Sequence, residues 1–484
     1  MTAILALLPC AAVIVAVLAF RLSGLSAAAL ALVAALALWA SGIFSPSQLD
    51  QIAHAFSDAV VLEMLVGLVI FFGLLFVEVS SRGGGLKALD DIVQHLKLSP
   101  LKAVILITLG IGVMLESLTG YGVSMLVTVP LLMRIVTRKK TIFLALIGMS
   151  LMSWGALSVA ALLGAELSGL TPQVFANAIA TTSGPVAAFL PMLCVLVMGD
   201  VRLQDIVYAI FAGTILTIGI ILTSYWVGVE VAGVGGGLAI ILFSLVFSSS
   251  RRNLGKALIA PPILPYGLLI AGIVLQKFIT PHFTTLGFAP VVDTGRVSFH
   301  ILQSPSIALL IIALVAIALR PKLIASADER PLLQEVWARS WRPLASIFLF
   351  LVTARILVEI GGIEALSATL SKLGPYLAVV LITVLGSVGA YVTGSGVTAN
   401  ALFMPSAAAA GENFDALALF AALQHSGASH VALASLPVIA ILLTALPNRE
   451  TSDDHIAMRT ALKLATLWIL FVITSGLVQL AVAA

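Results

Sequence analysis

The sequence has little charge: only 10% of its 484 residues are Asp, Glu, Lys or Arg, whereas hydrophobic residues make up 61%. About a quarter of the residues of a soluble domain are charged, so this chain lacks the charge that would cover a water-exposed surface of its size. The net charge of +3 is small and spread over connecting segments, which excludes a nucleic-acid-binding face. The sequence therefore predicts a protein whose solvent is lipid.

Cysteine is scarce, and the sequence patterns of metal sites are missing. The two cysteines, Cys10 and Cys194, lie in apolar runs, where we expect them to act as small buried hydrophobic residues. No pair of Cys or His residues has the spacing of metal ligands. The chain also lacks an HExxH motif and has no soluble domain. We therefore expect a protein without a metal or a cofactor that is not an enzyme.

Long apolar runs dominate the chain. One membrane span needs roughly 20 apolar residues, and the sequence offers about a dozen such runs. A carboxylate, glycines and hydroxyl groups interrupt two of these runs. The pattern predicts an all-α polytopic membrane protein with roughly 12 to 14 membrane segments, two of which are broken helices or re-entrant hairpins.

The two interrupted runs contain nearly the same sequence. Thr119-Gly120-Tyr121-Gly122-Val123-Ser124 lies in the run 101–136, and Thr393-Gly394-Ser395-Gly396-Val397-Thr398 lies in the run 374–410. The copies are 274 residues apart, from Thr119 to Thr393. Polar, glycine-broken membrane segments at corresponding positions of two halves are typical of a transporter's binding site.

The repeat predicts two transmembrane halves, residues 1–255 and 256–484. Basic residues follow the first broken segment and acidic residues follow the second, so we expect the segments to enter from opposite faces as an inverted repeat. Glycine permits the sharp turn that a break needs. The half-helices that begin after two such breaks would direct their positive ends at a small anion.

The broken segments supply most of the candidate site residues. The expected substrate-binding residues are Thr119, Gly120, Tyr121, Gly122, Ser124, Thr393, Gly394, Ser395, Thr398 and Asn400. The alternative for their hydroxyl groups is a bond to a carbonyl of their own kinked helix. Glu116 is a stronger candidate, because a charged group in hydrocarbon costs on the order of 3 kcal/mol and is functional by default. We expect it to couple transport to protons; the alternative is a structural acid that caps the turn.

Three further side chains are candidates outside the repeated motif. His425 and His430 follow the second broken segment, and histidine titrates near neutral pH; each is either a proton-coupling residue or an ordinary hydrogen-bonded histidine. Arg355 either binds a substrate carboxylate through its planar guanidinium group or neutralises Glu359 one helical turn later. Glu63 is expected at the membrane interface.

The repeated motifs also resemble those of a known family. Leu115-Glu116-Ser117-Leu118-Thr119-Gly120-Tyr121-Gly122 resembles the Leu-Glu-Gly-Ala-x-Gly-Phe-Gly signature of the L-lactate permease family of bacterial carboxylate transporters. The segment 392–403 resembles that family's Leu-Thr-Gly-Ser-(Asp or Asn)-Thr-x-Ser-Asn-Ala-Leu-Phe. The chain departs from the family at Ser117, Gly396 and Ser429-His430, where the family has glycine, a polar residue and Gly-Lys.

The resemblance implies a secondary active transporter of the bacterial inner membrane that imports L-lactate, D-lactate or glycolate with protons. Because the departures touch the expected site, a sodium-coupled carrier or a carrier of another organic anion remains the alternative. The expected partners are the small carboxylate, the proton and membrane lipid, without nucleic acid. Assembly into a homodimer stays open.

Overall fold

The computed structural model describes residues 2–85, 88, 96–120, 122–199, 201–247, 261–319 and 330–483. Within these ranges the regular structure is helical except for one antiparallel hairpin of two short strands, β1 (Val291–Asp293) and β2 (Ser298–His300). A helix satisfies its own backbone hydrogen bonds, which lipid does not do. The predicted all-α class is confirmed.

The helices before the hairpin are α1 (Thr2–Ala6), α2 (Leu8–Leu18), α3 (Gly24–Ser41), α4 (Leu49–Arg82), α5 (Pro100–Ile105), α6 (Gly112–Thr119), α7 (Val123–Met133), α8 (Arg138–Gly148), α9 (Val159–Ser168), α10 (Pro172–Met198), α11 (Leu203–Trp226), α12 (Ala232–Val246) and α13 (Leu264–Thr285). The helices after it are α14 (Ser306–Leu319), α15 (Leu332–Glu359), α16 (Gly362–Ser371), α17 (Pro375–Thr393), α18 (Gly396–Asn413), α19 (Leu417–Val431), α20 (Leu436–Ala445) and α21 (Thr451–Ala483).

Many of these helices have the length and composition of membrane spans. The described ranges contain 11 helices that are long and apolar enough to cross a bilayer, or 12 when α19 and α20 are counted together as one bent span. The larger number is the lower end of the 12 to 14 segments expected from the sequence. The polytopic membrane class is therefore confirmed.

Both segments that were predicted to be broken contain a break at the repeated motif. In the first, α5 continues through a π-helical turn (Leu106–Ile111) into α6, which ends at Thr119, and α7 begins at Val123. In the second, α17 ends at Thr393 and α18 begins at Gly396. Gly120, Gly122 and Gly394 have φ values of +69°, +73° and +79°. Gly122 and Gly394 are left-handed, and Gly120 combines its positive φ with an extended ψ of −168°. Glycine adopts all of these conformations without a steric penalty.

Two further interruptions were not predicted. Between α8 and α9 the chain forms two 3₁₀ turns, Met149–Trp154 and Ala156–Ser158. Between α19 and α20 it forms a 3₁₀ turn, Ala432–Ala434, and then bends by 43°. Helix α9 packs against α18, and α20 packs against α7. Each of these half-helices therefore contacts the half-helix that begins at the other half's glycine motif.

Candidate functional site

The four interruptions surround one small cavity. Its volume is about 100 Å³, and Glu116 forms part of its wall. The other wall residues come from three of the interruptions and from the helices beside the fourth, and they include Gly120, Gly155, Ala156, Gly394, Ser395 and Pro437. Residues of the first turns of α9, α18 and α20 also line it. Because the first N–H groups of a helix have no partner within it, three helix ends direct positive partial charge toward this space.

The contacts of the two glycine motifs repeat in the two halves. A Cβ atom added to Gly120 would lie 2.5 Å from the Cβ of Ala156, and one added to Gly394 would lie 2.8 Å from the Cγ of Pro437. Neither position has space for a side chain. Glycine is thus required there for close packing as well as for its positive φ.

The second glycine of each motif lies near both halves. A Cβ atom on Gly122 would lie 2.9 Å from Met125 of its own half and 3.3 Å from Ile441 of the other half. One on Gly396 would lie 3.3 Å from Ser429 of its own half and 3.9 Å from Ala160 of the other half. Each motif therefore approaches the α9 or α20 half-helix of the opposite half.

Glu116 is buried, with 3% of its surface exposed, and its carboxylate lies at the start of α7. Its Oε1 accepts a hydrogen bond from the Gly122 N–H at 3.2 Å, and its Oε2 accepts one from the Ser124 hydroxyl at 2.8 Å. A helix N-terminus stabilises negative charge. The first half thus carries its own carboxyl group at the half-helix that follows its glycine motif.

The second half has no such acid. The repeat spacing of 274 residues makes Ala390 the counterpart of Glu116. The Ser395 hydroxyl caps α18 by accepting from the Thr398 N–H at 3.4 Å. Ser395, Gly396 and Val397 line the cavity, whereas the buried Thr398 does not. The start of α18 therefore lies at the cavity without an acid of its own.

Two of the expected substrate-binding threonines bond within their own helices. The Thr119 hydroxyl donates to the Leu115 carbonyl at 2.6 Å, and the Thr393 hydroxyl donates to the Gly389 carbonyl at 2.8 Å. Neither threonine lines the cavity. For these two hydroxyl groups the structure agrees with the alternative given in the sequence analysis, a hydrogen bond to a carbonyl of their own helix near its end. Tyr121 lies outside the described residues.

Asn400 connects the two halves behind the cavity. Its Nδ2 donates to the Ala160 carbonyl at 2.6 Å and to Nδ1 of His425 at 2.9 Å. Because Nδ1 accepts, the ring proton of a neutral His425 lies on Nε2, which is 3.3 Å from the Ser153 carbonyl. The buried Oδ1 of Asn400 has no partner among the described residues.

Both histidines are fully buried, and His425 is the one that forms a hydrogen bond, among the described residues, with a side chain that lines the cavity. Its Nε2 lies 3.4 Å from the hydroxyl of Ser429, a cavity residue. His430 lies deeper, with Nδ1 2.6 Å from the Ser150 carbonyl and Nε2 2.9 Å from the Ser183 hydroxyl. The two predicted proton-coupling histidines thus belong to one buried polar cluster next to the cavity.

Arg355 has a different partner from those proposed in the sequence analysis. Its guanidinium group binds the carboxylate of Asp58, a fully buried residue of α4, and it does not line the cavity. Glu359 is paired instead with Arg296, at 2.9 Å. The sequence analysis did not single out Asp58, because 297 residues separate it from Arg355 and no local pattern connects them.

The sequence analysis also missed the wall formed by the α8–α9 connection. Ala156, Leu157 and Ser158 have φ values of +48°, +52° and +55°. For residues other than glycine this conformation costs roughly 1–2 kcal/mol each, and such residues concentrate at functional sites. Gly155, and the Ser435-Leu436-Pro437 sequence with its helix-starting serine and proline, were the available signals for these two interruptions.

These features define a class: a polytopic helical membrane protein in which broken helices surround a small cavity with a buried carboxyl group in its wall, as in secondary transporters. The model of the L-lactate permease family matches residues 2–288 and 286–482, so the chain belongs to that family of membrane permeases. A comparison with curated proteins found no match to the chain. The family suspected from the two glycine motifs is confirmed.

Proposed function

We propose that this protein is a secondary active transporter that imports a small 2-hydroxy monocarboxylate, lactate or glycolate, together with protons across the bacterial inner membrane. The observation that carries the proposal is the cavity shared by Glu116, Gly120 and Gly394. Its volume of about 100 Å³ lies well below the roughly 300–1,000 Å³ of sites for drug-sized ligands. A space of this size suits an organic anion of a few carbon atoms.

The substrate carboxylate binds at the start of α18. Glu116 already occupies the corresponding position at α7, whereas the second half has Ala390 in its place. The first N–H groups of α18 and the hydroxyl groups of Ser395 and Thr398 are the donors for the substrate. This assignment is supported by the position of Ser395, Gly396 and Val397 in the cavity wall and by the preference of helix N-termini for anions.

Proton coupling follows from the presence of two acids in one cavity. Two negative charges about 4 Å apart repel each other by roughly 4 kcal/mol at an effective dielectric constant of about 20. A protonated Glu116 removes this repulsion, so the substrate anion and a proton bind together. The His425 and His430 cluster is the proposed route for the proton, because Ser429 connects it to the cavity.

The alternating-access mechanism uses the two halves, residues 1–255 and 256–484, as an inverted repeat. The reciprocal contacts of the glycine motifs support this relationship. Rocking of one half against the other around a fixed central site is the usual mechanism of such transporters. A homodimeric assembly stays a prediction.

The test is uptake of radiolabelled lactate and glycolate into proteoliposomes with imposed gradients. An inward proton gradient should drive accumulation, whereas a sodium gradient at fixed pH should not. Pyruvate, which lacks the hydroxyl group, should compete more weakly than lactate, and protein-free liposomes give the background. Sodium-driven accumulation would establish the alternative carrier, and the absence of any gradient-driven uptake of both acids would refute the proposal.

A further inference from the structure

A second concave surface lies away from the cavity and shares no residue with it. This groove has a volume of about 780 Å³ and lies between the start of α5, the end of α10, the start of α11 and the end of α12. Its wall combines two basic side chains, Lys102 and Arg202, with several aromatic rings. Lys102 lies in the first turn of α5, which continues through the π-helical turn into α6, the helix that contains Glu116. The groove therefore lies at the far end of the helical segment that carries Glu116.

Aromatic rings hold the Lys102 side chain within the groove. Its Nζ lies 4.1 Å from the ring centroid of Phe247 and 5.3 Å from that of Tyr208. Within the described residues, neither Lys102 nor Arg202 forms an ion pair with a carboxylate. Asp205 is the one acid among the described residues that line the groove, so the two basic groups leave an excess of positive charge there.

The groove continues onto a surface that suits hydrocarbon. Val207 and Phe211 of α11 belong to its wall and are 43% and 58% exposed. Only 33% of the apolar stretch of α11 is buried inside the protein, so this helix presents much of its surface to the surroundings. Positive charge and exposed apolar side chains therefore meet within one groove.

We propose that this groove binds an anionic phospholipid. The headgroup phosphate lies between Lys102 and Arg202, and an acyl chain lies along Val207 and Phe211. Basic pockets between membrane helices are suited to anionic headgroups. A soluble phosphate would match the charge but leave the apolar wall uncovered, which favours the lipid.

The test measures binding of fluorescent phosphatidylglycerol to the purified, detergent-solubilised full-length protein, with fluorescent phosphatidylcholine as the neutral probe. The Lys102→Gln and Arg202→Gln variants should each weaken phosphatidylglycerol binding roughly fivefold, as expected for loss of one basic residue near an anionic headgroup. Phe211→Ala should also weaken phosphatidylglycerol binding, because it removes a side chain proposed to lie along the acyl chain. Lys102→Arg keeps the charge and should retain phosphatidylglycerol binding.

Lys139→Gln is the matched control, because Lys139 is an exposed lysine at the start of α8 outside the groove. Equal binding of the two lipids, or equal losses in Lys102→Gln and Lys139→Gln, would overturn the proposal. Competition by millimolar inorganic phosphate together with an unchanged Phe211→Ala variant would also overturn it, by identifying a small-anion site. Monodisperse elution of each variant in size-exclusion chromatography confirms that a loss of binding is not a loss of folding.

Discussion

At the residue scale, the two roles of Glu116 can be separated by removing only its charge. Glu116→Gln keeps the size of the side chain and an oxygen that accepts one of the hydrogen bonds from Gly122 and Ser124. If the proton on Glu116 couples substrate to the pH gradient, exchange of labelled for unlabelled lactate should survive within about threefold, whereas proton-driven accumulation should disappear. Counterflow and gradient-driven uptake in the same proteoliposomes measure these two quantities.

Glu63→Gln is the matched control for Glu116→Gln. Glu63 is also a carboxyl group on an apolar helix, α4, but it does not line the cavity. Its replacement should leave both exchange and accumulation unchanged. Accumulation that persists at the wild-type level in Glu116→Gln would remove the proton-coupling role from Glu116 and leave it as a structural cap of α7.

At the scale of single elements, substitutions at the glycine breaks can show whether glycine is needed there for close packing or only to avoid backbone strain. Gly394 and Gly169 have nearly the same left-handed conformation, with φ and ψ of +79° and +12° at Gly394 and of +68° and +14° at Gly169, so alanine is strained to a similar degree at both. A Cβ atom at Gly394 would contact Pro437 at 2.8 Å, whereas one at Gly169 would meet no atom within 4 Å. Gly394→Ala should therefore reduce lactate uptake at least tenfold, and Gly169→Ala should reduce it less than threefold.

The first break offers the same comparison. Gly120 and Gly374 have similar conformations, with φ and ψ of +69° and −168° at Gly120 and of +78° and +159° at Gly374. A Cβ atom at Gly120 would lie 2.5 Å from Ala156, whereas one at Gly374 would meet no atom within 4 Å. Uptake rates normalised to the amount of protein in the liposomes, with elution profiles as a check of folding, measure the effect. Equal losses in the two members of a pair would mean that strain alone matters and that close approach at the cavity does not.

The glycine breaks were predictable from the sequence, but their partners were not. The motif at 119–124 and its copy at 393–398 stand out because polar and glycine residues are conspicuous in an apolar run. The opposite walls of the cavity, formed by Ala156 and Pro437, come from connections whose residues are mostly apolar and give a weak signal. Helix length and hydropathy predict spans, whereas a 3₁₀ turn in a buried helix depends on its tertiary neighbours.

Side-chain partners were the least predictable part of the site. Arg355 has an acid one turn away, Glu359, and local spacing favours that pair. The structure pairs it instead with Asp58 on α4, because the packing of α4 against α15 places the two side chains together inside the protein. A contact across 297 residues depends on the whole fold, so a single sequence without a known fold does not reveal it.

At the scale of the whole molecule, the Asp58–Arg355 pair is the buried part of a cluster that ties the β hairpin to the helices. The Thr294 hydroxyl donates to Asp58 Oδ1 at 2.5 Å, and Arg296 pairs with Glu359 at 2.9 Å. The Ser298 N–H also donates to Glu166, at the end of α9, at 2.6 Å. The hairpin thus links α4 and α15 to the half-helix that starts at the cavity wall.

Arg355→Met should destabilise the protein because it removes the closest cation from the buried Asp58 carboxylate and leaves only the partly exposed Arg296, at 3.8 Å. Removal of one partner of a buried ion pair typically costs about 3–5 kcal/mol, which is measured as a fall in the free energy of unfolding or in Tm. The double variant Asp58→Asn with Arg355→Met should lose less than Arg355→Met alone. Arg449→Gln is the control, because its pair with Asp454 is exposed and should contribute little.

Transport measurements on the same variants distinguish an architectural Arg355 from one that binds substrate. If Arg355 binds substrate, Arg355→Met should raise the KM for lactate and leave Tm unchanged. The additional Asp58→Asn substitution should then not restore the KM. An arginine that neutralises Asp58 gives the opposite result: Tm falls, the remaining folded protein keeps its KM, and loss of the Asp58 charge restores much of the stability. Because Arg355 lies outside the cavity wall and contacts Asp58 directly, the second result is expected. The anion site then consists of the broken helices alone, without a fixed cation.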